Sequence, residues 1–203
     1  EIVCAGDRIA LLIVAHHLVL DAYGLGLLTR RIGHLYDDPA DPRRLRSVTD
    51  LPDGLDAAGV DDRTFWADQL AGITAPLTLS DRPRGHRVAS RILTRRTVIP
   101  TLGALTRNPS TLTAVIAAFC GRLAGTDDVV LGFPMMNRLG SPVANCACSA
   151  VNVIPLRVHT PAHRSIAEIA AGVTDRLRTV SPHARYRGCL LYTSPSPRDA
   201  TLS

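Results

Sequence analysis

Two rhythms of apolar and polar positions alternate along this chain. Arg8 to Ala15 (RIALLIVA) is an unbroken apolar run rich in branched residues, and it predicts a short buried strand. The run stops at His16-His17. Beyond a brief loop, Leu25, Leu28, Ile32, Leu35 and Tyr36 fall on one face at helical spacing, and Asp21 stands just upstream where an N-cap would sit. The first chemistry-bearing side chains therefore lie where a strand gives way to a helix.

The same reading continues downstream. Asp37 to Asp62, rich in Asp, Pro, Arg and Gly, predicts a surface connection. Arg63 to Ala71 (RTFWADQLA) predicts a short amphipathic helix anchored by Phe65, Trp66 and Leu70. Val88 to Ile99 alternates as a strand does, with Val88, Ile92 and Val98 inward. Ser110 opens a helix whose expected apolar face is Leu112, Val115, Ile116, Phe119 and Leu123, closed by Gly125. Asp128 to Phe133 and Ala150 to His159 (AVNVIPLRVH) read as two more buried strands. Ile166, Ile169, Ala170, Val173 and Leu177 mark a last helix. Strands and helices in this order predict an α/β or α+β architecture. Cys189 to Ser203 has no periodicity and reads as a non-native or disordered tail.

Composition narrows the function classes. Of 203 residues 46% are hydrophobic, a globular balance with room for a core. The longest apolar run is far shorter than the ~20 residues that cross a bilayer. With no basic leader ahead of an apolar stretch, the expectation is a soluble, cytoplasmic protein whose true N-terminus is missing. The net charge is +5, and all 23 basic residues are Arg. They are scattered (Arg30-Arg31, Arg43-Arg44, Arg95-Arg96, Arg176) and aromatics are only 4%, so a nucleic-acid interface is not expected. Five cysteines, Cys4, Cys120, Cys146, Cys148 and Cys189, form no disulfide framework. Cys146-Ala147-Cys148 lacks the spacing of a zinc knuckle, which leaves ordinary buried thiols.

His16-His17-Leu18-Val19-Leu20-Asp21 concentrates the candidate chemistry. An imidazole titrates near neutrality and can accept a proton from an incoming amine. A nearby carboxylate can pair with an Arg to fix the loop, or orient an imidazole. Ala22, Gly24 and Gly26 are small enough to let a substrate approach. The residues alone leave three readings open: proton transfer, two inert histidines ending a strand, and a metal site. Adjacent histidines point to opposite sides, so at most one faces a given cleft. For a metal, the remaining histidines, His34, His86, His159, His163 and His183, supply no convincing third ligand.

HHLVLDAYG resembles the HHxxxDG motif of condensation domains of nonribosomal peptide synthetases. FWADQLAG, TLTAVIAAFCGRLAGTDDVVLGFPMMNR and AVNVIPLRV resemble further segments of that family in the same order, from Ile9 to about Leu177. The text around HHLVLDAYGLGLLTRRIGHLY is most like domains that open a synthetase.

The resemblance implies two chloramphenicol-acetyltransferase-like lobes with a tunnel between them. Residues 1–75 would end the N-terminal lobe and supply the linker, and 76–188 would begin the C-terminal lobe. His17 corresponds to the catalytic histidine, as base or as the group that positions the amine. His16 and Asp21 correspond to residues that shape its loop. Arg138, Asn152 and Arg157 correspond to second-lobe residues that are structural or line the tunnel. The implied reaction is amide formation between a carrier-bound acyl or aminoacyl thioester and an amine. No cofactor is bound directly; the substrates ride on the phosphopantetheine of partner carrier domains, beside an adenylation domain. Neither a catalytic metal nor a membrane is expected. Ala22 departs from the family's Gly and adds a methyl at the tunnel floor. The Arg partner of Asp21 is expected in a segment preceding residue 1. On this reading the chain is incomplete at both ends and by itself catalyses nothing. The alternatives are a coenzyme A-dependent acyltransferase of the same fold and a non-catalytic docking lobe.

Overall fold

A computed structural model describes residues 2–6, 8–53, 60–73, 77, 94–98, 103 and 107–186. It divides into two compact units, each assembled from two stretches of chain. The first comprises Glu1–Ala57 with Pro134–Asn152, the second Ala58–Phe133 with Val153–Ser203. The tail from Cys189 lies outside the described residues. So does most of the strand expected over Val88–Ile99, and residues 94–98 carry no regular structure.

The first unit opens with an antiparallel hairpin, β1 (Ile2–Ala5) and β2 (Arg8–Leu11), with Ile2 opposite Leu11 and Ala5 opposite Arg8. The buried strand expected over Arg8 to Ala15 is therefore shorter, and it is not buried. Leu11 and Leu12 are about half exposed and Val14 is 85% exposed. A continuous apolar run marks a buried strand only where both of its faces are covered, and among the described residues β2 pairs only with β1. Helix α1 spans Ala22–Asp37. Its side chains fall at the expected spacing, but Gly24 is its only buried residue, and Leu25, Leu35 and Tyr36 are exposed.

Residues 38–53 are mostly irregular, as expected, with a short 3-10 turn at Val48–Asp50, whereas residues 60–62 of the expected connection already belong to a helix. Buried Asp41 organises this stretch, bonding the Arg43 guanidinium at 2.6 Å and lying 3.4 Å from that of Arg31. Hydrogen bonds from Arg43's side chain and backbone hold the Asp41 carboxyl down at about 2. Further on, the Arg46 amide donates to the Asn145 carbonyl at 2.8 Å, and Asn145 Nδ2 donates to the Arg44 carbonyl at 3.0 Å. These bonds join the two stretches of the unit.

The second unit holds α2 (Val60–Gln69), α3 (Pro109–Ala124), α4 (Ile166–Val180) and most of the paired strands β3 (Asp128–Met135) and β4 (Asn152–His159). Its core is Trp66, Val129, Ile154, Leu156, Val173 and Val180, all almost fully buried. In β4, burial of Ile154, Leu156 and Val158 follows the two-residue period. Helix α4 starts with a capping box between Ser165 and Glu168 and buries Ile169, Ala170 and Val173, close to the expected face.

Helix α3 is capped by Asn108 and ends at Gly125 (φ 67°). It buries a different face from the one expected. Ser110, Thr113, Ala114, Ala117, Ala118, Cys120 and Gly121 are inside, whereas Ile116, Phe119 and Leu123 are exposed. Small residues bring α3 close to α4, where the Thr174 hydroxyl donates to Ser110 Oγ at 2.8 Å. Trp66 anchors α2 by donating from Nε1 to the His183 carbonyl at 3.1 Å. Phe65 stacks on the His183 ring, and His183 Nδ1 lies 2.6 Å from Asp62 Oδ1.

Candidate functional site

Asp21 is the centre of the site. It is 5% exposed and receives five hydrogen bonds. As N-cap of α1 its Oδ1 accepts from the Gly24 amide at 2.7 Å. Oδ2 accepts from the Ala150 and Val151 amides at 2.8 and 3.2 Å. Arg138 Nη2 donates to both oxygens, at 2.9 and 3.1 Å. Burial alone would raise the carboxyl's pKa. The Ala150 and Gly24 amides and the Arg138 guanidinium outweigh it, so Asp21 is held below the ordinary carboxylate range and stays ionised.

Arg138 is the partner that the sequence reading placed before residue 1. It lies 117 positions downstream, and it belongs to the unit that carries the histidines. Its Nη1 donates to the Val143 and Cys146 carbonyls at 2.7 and 2.9 Å, and Nη2 also reaches the Cys148 carbonyl at 2.7 Å. The guanidinium stands 4.9 Å from the Tyr23 ring centroid, within cation–π range. Asn137, just before it, takes φ 52°, a left-handed conformation that Asn tolerates better than most residues. With every charge matched, Asp21 and Arg138 form a structural clamp and not a pair free for proton transfer.

The clamp positions the histidine turn. Val19 and Leu20 amides both donate to the His16 carbonyl, at 2.9 and 3.2 Å, and the Leu18 amide donates to His16 Nδ1 at 3.2 Å. His16 thus uses its backbone and its ring to close the turn. His17 is exposed, and its imidazole has no hydrogen bond to a described residue.

One small residue has a role other than the one the sequence suggested. Gly24 does not leave room for a substrate: a Cβ there would stand 2.4 Å from the Cys148 carbonyl oxygen, so backbone already fills the space. Ala22 opens α1 in an ordinary helical conformation, exposed, and no backbone angle there calls for Gly. Asn152, half-buried, is the first residue of β4. Arg157 has partners of its own. In the second unit it grips the Asp128 carboxylate at 2.9 and 3.0 Å from Nε, and its Nη1 donates to the Gln69 and Ala71 carbonyls at the end of α2. That hydrogen bonding, against a smaller cost of burial, holds Asp128 below its usual range.

Sequence reasoning missed Tyr23, the Ala150 and Val151 amides, and the carbonyls of Cys146 and Cys148. Of these only Tyr23 had a residue-type signal, an aromatic two places after the Asp. The others act through backbone. Among the described residues no group of three or more His, Cys, Asp or Glu could hold a metal ion, and no helix is long and apolar enough to cross a membrane.

The family model for the condensation domain matches residues 2–202, a span that takes in the stretch from Cys189. The chain is similar to isonitrile lipopeptide synthase of Streptomyces coeruleorubidus, 32% identical over 193 residues that cover 85% of this chain and 13% of that protein. It is also similar to a dimodular nonribosomal peptide synthase of Bacillus subtilis (strain 168), 28% identical, covering 85% and 8%. Among solved structures, the first condensation domain of the calcium-dependent antibiotic synthetase superposes with a TM-score of 0.69 at 24% identity, covering 87% of this chain and 45% of that one. A starter condensation domain of rhizomide synthetase in complex with C8-CoA gives 0.71 at 23%, covering 87% and 43%. The chain thus spans under half of those structures and a small part of the curated relatives. The likeness carries the mixed α/β fold expected from the sequence. With a matched span of nearly its whole length and a histidine turn braced by a buried Asp–Arg clamp, the chain belongs to the condensation-domain family.

Proposed function

We propose that this chain is the part of a nonribosomal peptide synthetase condensation domain that carries its reactive histidine, and that the whole domain forms amide bonds. The acceptor amine attacks the carbonyl of a donor thioester. A C–N bond forms, the C–S bond breaks, and the amine proton passes through His17 to the departing phosphopantetheine thiolate. The observation that carries this reading is the division of labour at the turn. Asp21 is fully engaged by Arg138 and backbone amides and His16 closes the turn, so His17 is the titratable group left unengaged and exposed. Donor and acceptor would arrive on carrier domains of the same synthetase, next to an adenylation domain. A fatty-acyl donor fits a starter role, in keeping with the lipopeptide synthase relative and the C8-CoA-bound starter structure.

The test is a carrier-loaded condensation assay on the parent domain. His17→Ala should lower product formation by on the order of a hundredfold or more. His16→Ala should lower it less, in step with lost stability. Equal, mild losses from both would overturn the assignment. Product formation from an acyl coenzyme A and a free amine, with none from carrier-bound donors, would favour the coenzyme A-dependent alternative.

A further inference from the structure

Cys146 and Cys148 sit under the start of α1, and both present their carbonyls to Arg138. The Cys148 amide donates back to the Cys146 carbonyl at 3.0 Å. Such a three-residue turn draws the first and third Cα atoms to within the separation that a disulfide spans. The Cys148 side chain is a near neighbour of the Cys146 thiol. They differ in access: Cys146 is fully buried and Cys148 only partly so.

We propose that Cys146 and Cys148 are a peroxide-sensitive dithiol whose oxidation to a disulfide loosens the Asp21–Arg138 clamp and with it the histidine turn. In the first step the Cys148 thiolate attacks hydrogen peroxide. An S–O bond forms, the O–O bond breaks, hydroxide leaves, and Cys148 becomes a sulfenic acid. In the second, the Cys146 sulfur attacks the sulfenic sulfur and displaces its hydroxyl, which takes the Cys146 proton and leaves as water. Two cysteines are oxidised and one peroxide is reduced to water. The order of attack follows from access, and burial, reinforced by the neighbouring thiol, raises Cys146 to about 11, which keeps it a thiol until its partner is oxidised. A dithiothreitol-type dithiol reverses the change.

The coupling to the site is steric. The Cys148 carbonyl accepts from Arg138 at 2.7 Å and from the Asp21 amide at 3.5 Å, and it lies 2.4 Å from where a Cβ on Gly24 would be. A disulfide closed across one intervening residue requires new backbone angles at 146–148, and that carbonyl cannot turn without leaving Arg138 or striking α1. The inference does not depend on what His17 does.

Its test uses the whole chain. After hydrogen peroxide, alkylation and tryptic mapping should find the peptide spanning Cys146 and Cys148 two hydrogens lighter and unalkylated, and restored by dithiothreitol. Amide exchange at Gly24, Ala150 and Val151, the donors to Asp21, should speed up by roughly tenfold or more on oxidation. Cys148→Ser should abolish both effects. Cys146→Ser should leave a dimedone-reactive Cys148 with exchange unchanged. Any of three results would overturn the proposal: Cys148 passing to sulfinic acid without linkage, a disulfide formed only with Cys4, Cys120 or Cys189, or a 146–148 disulfide that leaves exchange at those amides unaltered.

Discussion

At Asp21 one carboxylate caps a helix, holds two distant amides and neutralises a buried guanidinium. Asp21→Asn leaves Arg138, 3% exposed, without its counter-charge. The expected loss is about 3–5 kcal/mol of unfolding free energy, read from denaturant titrations at neutral pH. The pH dependence has a defined sign. Because the folded pKa is depressed, the contribution is full above the unfolded value of about 3.9 and disappears as pH falls through the folded one. Below both values the variant and the parent chain should converge. Gly24 and Gly26 make a matched pair. Gly24→Ala should cost about 1–3 kcal/mol by forcing the Cys148 backbone away, measured by thermal denaturation. Gly26→Ala, whose new methyl would first meet the Arg30 guanidinium at 3.4 Å, should be neutral or stabilising, since Ala is the better helix former. The cap role of Asp21 was legible because an N-cap is a local event. Its pairing with Arg138 spans 117 positions and leaves no trace in any short window.

Element types were read from the chain more securely than the faces they bury. Periodicity is local, so α1, α3, α4, β3 and β4 fall within a few residues of expectation. Which side packs depends on the neighbour. On α3 the large apolar residues suggested one face, yet Ala114, Ala117, Ala118 and Gly121 are the ones inside, where the helix lies close to its surroundings. A Cβ on Gly121 would stand 2.6 Å from Thr160 Oγ1 and 2.7 Å from the Thr126 carbonyl oxygen. Ala117→Leu should therefore destabilise the chain by about 1–3 kcal/mol through overpacking, while Phe119→Ser, at a 62% exposed position, should shift stability by no more than about 0.5 kcal/mol. Comparing the two urea midpoints at constant m-value checks this, and the opposite ranking would restore the face suggested by residue size.

For the molecule as a whole, apolar surface in the first unit is the governing property. Val14, Leu18 and Tyr36 are each more than 80% exposed, with Leu12, Val19, Tyr23 and Leu25 around them in sequence. Exposed apolar area on this scale favours association. The chain alone should self-associate in a concentration-dependent way in sedimentation velocity, and Leu18→Asp together with Tyr36→Asp should reduce it. A chain that stays monomeric at all concentrations would contradict this. That surface was hidden from a reading by periodicity, which assumes that an apolar stripe is covered and cannot say by what.

The first unit is also discontinuous along the chain, since residues 58–133 are spent on the other unit before Pro134–Asn152 complete it. A ribosome delivers His16, His17 and Asp21 first and Arg138 more than a hundred residues later. Until then the carboxylate has neither its guanidinium nor the amides of Ala150 and Val151. Closing so long a loop costs entropy that only the finished contacts repay. The histidine turn is therefore set only after α3 and β3 have been made, and a nascent chain stalled before Arg138 carries both histidines without the clamp that holds them in place.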